Sequence, residues 1–421
     1  MASTNSRFDR RTLLRGAGSA AAATAMVSLP GRPTSAQSGE GTIIVSTWDF
    51  AQEPLQPVFD AFTAETGITI EWTANPSAGG EQVTQLAPQF ASESTPVDVL
   101  NCSDEAAPGF IRAGWLTPLD DVLGDGFWDD FPQAMRDYVA VWSTLEDQVY
   151  RVPNGWEFGY YWTRKDILDE LGLAAPATWD DLRALGEAAK ARGMFAFGDA
   201  ASQPSLAFVY AAYQDSQAGG DLFTFDDGTR AAFEFSKELI DKEYFPRDAI
   251  NWTYDQSNAA YMGDQLVTMR QWSFFYDVAR ANTEWFAEDK AVIELPPAGP
   301  ARRGTWAGAW GWTVPAFTEV ADQAKEFVRY ISAPEQAVTL ADTLTNLITP
   351  RASVVSALSD NPFVALQGMY SEADVVANRP FHPRVSEAQA VVDTVFNGYL
   401  AGQYDIDEAI ETGKSDIEAL G

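Results

Sequence analysis

The sequence predicts an α/β protein with two lobes. Its 421 residues exceed what one hydrophobic core usually supports, and 46% of them are apolar, which is enough to fill two cores. Segments typical of strands alternate with segments typical of helices, so each lobe is predicted to be a mostly parallel sheet flanked by helices. Nothing repeats with a period of 20 to 50 residues, and a solenoid is therefore not expected.

The N-terminus has the features of a twin-arginine signal peptide. The pair Arg10-Arg11 precedes a mildly apolar, alanine-rich stretch at 16–29, and small residues stand at the expected cleavage position. We predict a signal peptide at 1–36, a linker at 37–41, and export to the periplasm or the extracellular face of the cell membrane. A disordered basic tail is the alternative. No segment reaches the ~20 apolar residues that span a bilayer, so the mature chain is expected to be soluble.

The first elements of the mature chain form a β-α-β pattern. The run at 42–46 is apolar and β-branched, which predicts a buried strand. Apolar side chains at helical spacing predict a helix that ends at Gly67, and alternating apolar residues predict a strand at 68–72. A helix at 81–92 and a third strand at 97–100 follow.

A second set of elements begins after Pro153, with a strand at 160–162. Thr178 is a predicted N-cap with Asp181 three residues later, and the helix that it opens stops at Gly193. The remaining predicted elements are a short apolar run at 266–269, a strand at 292–295 and helices at 228–243, 320–332, 386–401 and 405–420.

The charge excludes two kinds of partner. The formal net charge is −32, and the first 36 residues hold five basic residues against one acidic residue, so the rest of the chain carries −36. Such a surface repels nucleic acid and anionic lipid. A solvated monomer is expected, and adaptation to high salt is one reading of the acidic surface.

The sequence lacks the residues that most kinds of catalysis require. The only histidine, His382, and the only cysteine, Cys102, leave no Cys/His metal site and no cysteine-histidine pair, and His382 is expected in a loop. The chain has no P-loop and no G-x-S-x-G motif. We therefore predict no catalytic residue, no metal and no cofactor. A glycosidase-like carboxylate pair stays open as an alternative, because carboxylates are abundant.

The stretch GTWAGAWGWTV at 304–314 carries Trp306, Trp310 and Trp312 with only glycine or alanine between them. If it is one strand, the three indoles project to one side. They then either pack in a core or form a platform for a flat ligand. We predict that Trp306 and Trp310 face a cleft and that Trp312 is packed.

Aromatic and polar residues also stand together at predicted strand ends, where ligands bind in open α/β sheets. A sugar ring has C–H bonds on its faces and hydroxyls around its edge, so indoles next to carboxylates suit it. The predicted ligand-binding residues are Trp48, Asp49, Asp104, Glu105 and Trp272 at strand ends, together with Trp156 and Glu157 where the chain is expected to change lobes.

Several short motifs resemble the extracellular solute-binding proteins of ABC importers, in particular the sugar-binding group that includes maltose and trehalose binders. The motifs lie in the order and at the distances found in that family. They are Phe59 to Ile68, Phe90 to Val99, Gly114 to Asp120, Pro176 to Leu182 and Ala324 to Ile331.

The resemblance implies a two-lobed periplasmic-binding-protein fold of type II with hinge crossovers. The N-terminal lobe would comprise 42–152 and 296–346, and the C-terminal lobe 153–295 and 347–421. Hinges are expected near 150–156, 295–305 and 345–351.

The resemblance also implies a function, which is to capture a carbohydrate between the lobes and deliver it to permease subunits in the membrane. It adds Arg351 to the predicted ligand-binding residues as a cleft arginine. Two alternatives stay open: the same fold binding a polyamine or, through Arg270 and Arg351, a phosphorylated polyol, and an exported carbohydrate-active enzyme that uses Glu157.

Overall fold

The computed structural model describes residues 41–76, 79–281, 290–344, 351–377 and 379–421. The predicted signal peptide and all but the last residue of the predicted linker lie outside the described residues.

The strands, in chain order, are β1 (Thr42–Trp48), β2 (Thr69–Asn75), β3 (Val99–Ser103), β4 (Thr144–Leu145), β5 (Gln148–Val149), β6 (Val152–Pro153), β7 (Glu157–Phe158), β8 (Tyr160–Arg164), β9 (Phe195–Gly198), β10 (Leu266–Gln271), β11 (Ala291–Glu294), β12 (Thr305–Gly308), β13 (Trp310–Thr313) and β14 (Val376–Ala377).

The helices are α1 (Gln52–Thr66), α2 (Gly79–Ala91), α3 (Ala107–Arg112), α4 (Asp120–Leu123), α5 (Gln133–Trp142), α6 (Lys165–Leu171), α7 (Trp179–Lys190), α8 (Leu206–Ala218), α9 (Asp227–Asp241), α10 (Tyr254–Met262), α11 (Phe275–Ala281), α12 (Ala321–Ile331), α13 (Pro334–Thr343), α14 (Ala352–Ala357), α15 (Pro362–Glu372), α16 (Val385–Leu400) and α17 (Ile406–Glu418). Short 3-10 helices cover Asp49–Ala51, Phe127–Asp130 and Arg247–Asn251.

The predicted strands and helices are confirmed, with ends that differ by a few residues. The local signals account for these ends. Gly67 follows α1 in a left-handed conformation with φ 76°, which few other residues adopt without strain. The Thr178 hydroxyl accepts a hydrogen bond from the amide of Asp181 at 3.1 Å and so begins α7.

The larger sheet has five strands in the order β2-β1-β3-β13-β6. Its first three strands are parallel, whereas β13 runs antiparallel to both of its neighbours. The second sheet, in the order β11-β8-β10-β9, has one parallel pairing, between β10 and β9. Both sheets are thus mixed. Alternation of strands and helices predicts parallel β-α-β units but not the direction of a strand that enters a sheet from elsewhere in the chain.

Each large sheet is packed on its faces by apolar side chains. Successive residues of β1 point to opposite faces, so Ile43 and Val45 pack with Phe327 while Ile44 packs with Phe90. A separate, larger core surrounds the second sheet and includes residues of α8 and α16. The two sheets therefore have separate cores, as the chain length predicts.

Two chain segments pass side by side between the sheets. β6 pairs with β13 in the five-stranded sheet, and β7 pairs with β12 in a three-stranded sheet of order β14-β12-β7. Within each segment only a few residues separate the two strands. The expected third hinge lies outside the described residues except for Arg351.

Candidate ligand-binding site

A cavity of about 930 Å³ lies between residues of the two large sheets. The carboxyl ends of the parallel strands β1 and β3 bring Trp48 and the pair Asp104 and Glu105 to one wall. Trp272, directly after β10, belongs to the other wall. Predicted ligand-binding residues that line the cavity are Trp48, Asp49, Asp104, Glu105, Glu157, Trp272, Trp306 and Trp310.

Four tryptophans form two perpendicular pairs in this cavity. The ring centres of Trp48 and Trp310 are 5.1 Å apart with planes at 71°, and those of Trp272 and Trp306 are 5.4 Å apart at 77°. Edge-to-face pairs hold each other's orientation. The lining therefore offers rigid aromatic corners.

The tryptophan-rich stretch is two strands, not one. Trp306 lies in β12 and Trp310 and Trp312 lie in β13, and these strands belong to different sheets. The condition under which all three indoles would project to one side, a single strand, is not met because the chain changes sheets at Ala309. Trp306 and Trp310 line the cavity, whereas Trp312 is 1% exposed and packs against Phe327.

Asp104 is the centre of a buried polar network. Its Oδ2 accepts hydrogen bonds from the Tyr138 hydroxyl at 2.5 Å and the Ala309 amide at 2.9 Å, and it lies 2.5 Å from Nη1 of Arg379. Burial alone would raise the pKa of Asp104, but the charges of Arg379 and Arg151 and the hydrogen bonds lower it below its usual value. Asp104 is therefore ionised at neutral pH.

Two further carboxyl groups at the cavity behave differently. Burial raises the pKa of Glu105 to about 7 although Arg379 opposes the shift. Burial and the charge of Asp104 raise the pKa of Glu157 to about 7. Both groups therefore change protonation near neutral pH, where small changes in their surroundings decide their charge.

Direct contacts join the two walls of the cavity. The amide of Gly80, at the start of α2, donates to the Ser205 hydroxyl at 2.9 Å. A Cβ on Gly80 would lie 2.2 Å from that hydroxyl oxygen, so a larger residue here would require Ser205 to move. The Ser386 hydroxyl donates to the backbone oxygen of Glu105 at 2.8 Å.

Residues 50–338 match the family of bacterial extracellular solute-binding proteins. The chain belongs to this family. The match covers more than half of the chain and includes Asp104 and Glu105 of one wall and Trp272 of the other.

Relatives and solved structures agree with this assignment. An uncharacterized ABC transporter extracellular-binding protein of Pyrococcus horikoshii is 23% identical, over 91% of this chain and 86% of its own. A mannitol-binding protein of Pseudomonas aeruginosa is 22% identical, over 77% and 80%. The solved structure of maltose-bound MalE3 of T. maritima superimposes with a TM-score of 0.80 at 20% identity, over 90% of this chain and all of that one. The fold is the two-lobed periplasmic-binding-protein fold of type II.

Two predicted residues of this solute-binding protein lie away from the cavity lining. Trp156 packs edge-on against Phe158 at 5.5 Å. Arg351 is 5% exposed, donates to the backbone oxygen of Ser332 at 2.6 Å and lies over the rings of Phe127 and Phe131. The sequence places both beside expected hinges, but side-chain direction decides which cavity a residue reaches.

The two arginines proposed for a phosphate do not meet at the cavity. Arg270 is buried in an ion pair with Asp199, and both side chains are 0% exposed. Arg351 is held near Asp130, with its Nε 3.4 Å from that carboxylate. The phosphorylated-polyol alternative therefore loses the residues on which it depended.

Sequence reasoning missed several residues of the site. Arg379 lies in the connection between β14 and α16, and no local motif marks it. Tyr254 lines the cavity and accepts a hydrogen bond from Nε1 of Trp272 at 2.7 Å. Gly308 also lines it, and its place within the tryptophan-rich stretch was the one available signal.

Metal ligands, membrane-spanning helices and the histidine are the subjects of the remaining predictions. Among the residues that the structure describes, no group of three or more His, Cys, Asp or Glu side chains is arranged to hold a metal ion. Within the same ranges, no helix combines the length and apolar composition needed to cross a bilayer. His382 lies in a loop, as expected, and its Nδ1 accepts from the amide of Arg384 at 3.0 Å.

Proposed function

We propose that this protein is the exported substrate-binding component of an ABC importer and that it captures a sugar, oligosaccharide or polyol in the cavity between its lobes. One observation carries the proposal: perpendicular tryptophan pairs surround a cavity that also holds carboxylates. Indole faces suit the C–H faces of a sugar ring, and carboxylate oxygens accept hydrogen bonds from its hydroxyls. A volume of about 930 Å³ is at the upper end of small-molecule sites, which suits one or two rings.

The ligand acts by shifting an equilibrium between open and closed lobes. Because the cavity takes residues from both lobes, a bound ligand contacts both only when they are close. Moving a two-state equilibrium from mostly open to mostly closed takes roughly 5 kcal/mol of differential binding. Several charge-assisted hydrogen bonds together with aromatic burial supply a free energy of this size. The closed form then delivers the ligand to the permease.

The test is a titration of the purified mature chain with a panel of neutral carbohydrates: glucose, maltose, trehalose, fructose, mannitol and ribitol. We expect at least one of them to change the tryptophan fluorescence saturably, because four indoles line the cavity. Calorimetry on the same samples gives the affinity. Absence of binding by every carbohydrate tested, neutral or charged, would contradict the proposal.

Two parts of the proposal have their own tests. For export, replacing Arg10 and Arg11 together with lysine is expected to retain the precursor in the cytoplasm, as fractionation and immunoblotting would show.

For the absence of catalysis, prolonged incubation with maltose or trehalose is expected to release no glucose. Glucose release that Glu157→Gln abolishes would favour the enzyme alternative.

The predicted lobe boundaries and the monomeric state belong to the same proposal. Two crossing segments, β6 to β7 and β12 to β13, support hinges near 150–156 and just beyond 295–305. Small-angle scattering with and without ligand tests both points. A mass of one chain and a smaller radius of gyration with ligand are expected.

A further inference from the structure

The space around Gly308 is bounded by two carboxylates and an indole. A Cβ built on Gly308 would lie 3.7 Å from Oδ2 of Asp104 and 3.7 Å from Cη2 of Trp272. Glu157 is the cross-strand partner of Gly308 in the antiparallel pair of β7 and β12. Side chains that are directly opposite in such a pair project to the same face. Glu157 therefore points to the side where Asp104 and Trp272 meet over the bare glycine.

Some carboxylate oxygens of Asp104 and Glu157 have no partner among the described residues of the protein. Tyr138, Ala309 and Arg379 all approach Oδ2 of Asp104. In the part of the chain that the structure describes, neither Oδ1 of Asp104 nor the carboxylate of Glu157 has a hydrogen-bond or ion-pair partner. Unpaired carboxylates beside a water-excluding wall are costly, so a ligand that pairs with them gains more than one that leaves them unpaired.

The charged side chains that line the cavity are mostly acidic. Its lining includes the acidic residues Asp49, Asp104, Glu105, Glu157, Asp255 and Asp277, and its one basic residue among the described residues is Arg280. Arg280 has Asp277 at 3.7 Å, and Arg379 is committed to Asp104. A neutral sugar leaves this negative excess in place, whereas a cation reduces it.

The aromatic lining also suits a cation. The guanidinium carbon of Arg379 lies 4.2 Å from the centre of the Trp306 ring, and that of Arg270 lies 5.3 Å from the Trp272 ring. These indoles thus already attract positive charge through their electron-rich faces. A ligand ammonium placed over Gly308 would have an indole and two carboxylates as neighbours.

We propose that the ligand is a carbohydrate bearing a protonated amino group, an amino sugar or amino polyol, whose ammonium binds between Glu157 and Asp104 above Gly308. This inference rests on the proposed function. The ammonium supplies three N–H donors for the unpaired oxygens of Glu157 and for the carboxylate of Asp104, whose Oδ2 bounds the space over Gly308. The hydroxylated ring then lies against the tryptophan pairs.

The experiment compares ligands that differ only at the nitrogen. Glucose, glucosamine and N-acetylglucosamine, and the corresponding β-1,4-linked dimers, are titrated calorimetrically into the mature chain at one pH and salt concentration. We expect the amine of at least one length to bind tenfold or more tightly than its neutral counterparts. Added salt is expected to reduce this preference because it screens the charges.

Two variants keep the test specific. Glu157→Gln should lower the ratio of amine to neutral affinity at least fivefold, since the amide keeps the shape but not the charge. Glu71→Gln, at an exposed position of β2 outside the cavity, should leave the ratio unchanged. An amine that binds no better than its neutral counterparts, or a preference that survives Glu157→Gln, overturns this inference. Binding of neutral sugars alone overturns it and leaves the proposed function standing, whereas absence of binding by any carbohydrate overturns both.

Discussion

Arg379 joins Asp104 and Trp306 behind the cavity. Its Nη1 lies 2.5 Å from Oδ2 of Asp104, and its guanidinium carbon lies 4.2 Å from the centre of the Trp306 ring. The side chains of Arg379 and Asp104 are 2% and 6% exposed, so this ion pair is almost fully withdrawn from water. One arginine thus fixes both a carboxylate and an indole of the candidate site.

Removing one partner of this buried pair leaves the other charge unpaired. Arg379→Ala is expected to lower the free energy of unfolding by roughly 3 to 5 kcal/mol. Urea denaturation followed by circular dichroism measures the change. The double variant Arg379→Ala with Asp104→Asn should recover part of the loss, and no recovery would show that packing on Trp306 dominates over charge.

Gly308→Ala tests the space in which the ligand is placed. The added methyl group meets Asp104 and Trp272 at ordinary contact distances, so the variant is expected to fold. It occupies ligand space, however, and should weaken binding of any panel sugar that the wild type binds. Calorimetry gives the affinity, and wild-type affinity would place the ligand elsewhere in the cavity.

The matched control is Gly368→Ala, in α15. No heavy atom lies within 4 Å of the position of its added Cβ. Alanine is the better helix former by about 0.5 to 1 kcal/mol, so the variant should be slightly more stable and bind normally.

Trp272→Ala should weaken carbohydrate binding by about 2 kcal/mol while the protein stays folded. The reason is that Trp272 presents its ring to the cavity and holds Trp306 at an edge-to-face angle. Trp128→Ala, in a 3-10 helix outside the cavity lining, is the control and should not change the affinity. Equal affinities in wild type and Trp272→Ala would exclude this ring from the site.

The ligand-free protein is expected to lose stability as the pH rises from about 5 to 8. Burial is the main cause that raises the pKa of Glu105, Glu157 and Asp215 to about 7 and that of Asp393 to about 6. The folded state binds these protons more tightly than the unfolded state. The stabilisation is therefore complete below the unfolded pKa values and is lost as the pH rises through the folded ones.

Scanning calorimetry across this pH range measures the effect as a fall in Tm. Glu157→Gln should make the fall shallower, because one of the titrating groups is gone. A Tm that rises steadily from pH 5 to pH 8 would contradict the assignment of these groups.

Cys102 is expected to resist thiol reagents in the native protein. It is fully buried in β3, and burial raises the pKa of its thiol to about 12, so almost no thiolate is present at neutral pH. Modification with a chromogenic disulfide should proceed only at the rate of unfolding. Rapid modification without denaturant would show that the five-stranded sheet opens locally.

Local patterns in the sequence were sufficient for most helices and strands. The apolar spacing before Gly67 and the N-cap at Thr178 are signals that act within a few residues, and the structure contains both elements where these signals put them. The carboxyl ends of β1 and β3 also follow from local patterns, since parallel neighbours in a sheet end at the same edge. This is why Trp48, Asp104 and Glu105 could be predicted as ligand-binding residues at strand ends.

The partners of those residues could not be assigned in that way. Nothing near Arg379 indicates that its guanidinium reaches Asp104, because the two are far apart in the chain and meet only when the chain is folded. Arg270 and Arg351 are likewise held away from the cavity by distant partners. Arg270 pairs with Asp199, and Arg351 lies over the rings of Phe127 and Phe131. The change of sheet at Ala309, which separates Trp306 from Trp310 and Trp312, depends on strand pairing with β7 and β3.

Chain length, short-range periodicity and capping residues were thus enough to predict the two-lobed α/β class and the element order. The residues at strand ends also indicated the kinds of side chain in the site. Tertiary structure alone decided that Trp156 and Arg351 turn away from the cavity, which charges neutralise each other and which carboxylates are left for a ligand. The physical reason is the separation along the chain over which each interaction acts. Helix and strand signals arise between neighbours in sequence, whereas burial and ion pairing arise between groups that only the folded chain brings together.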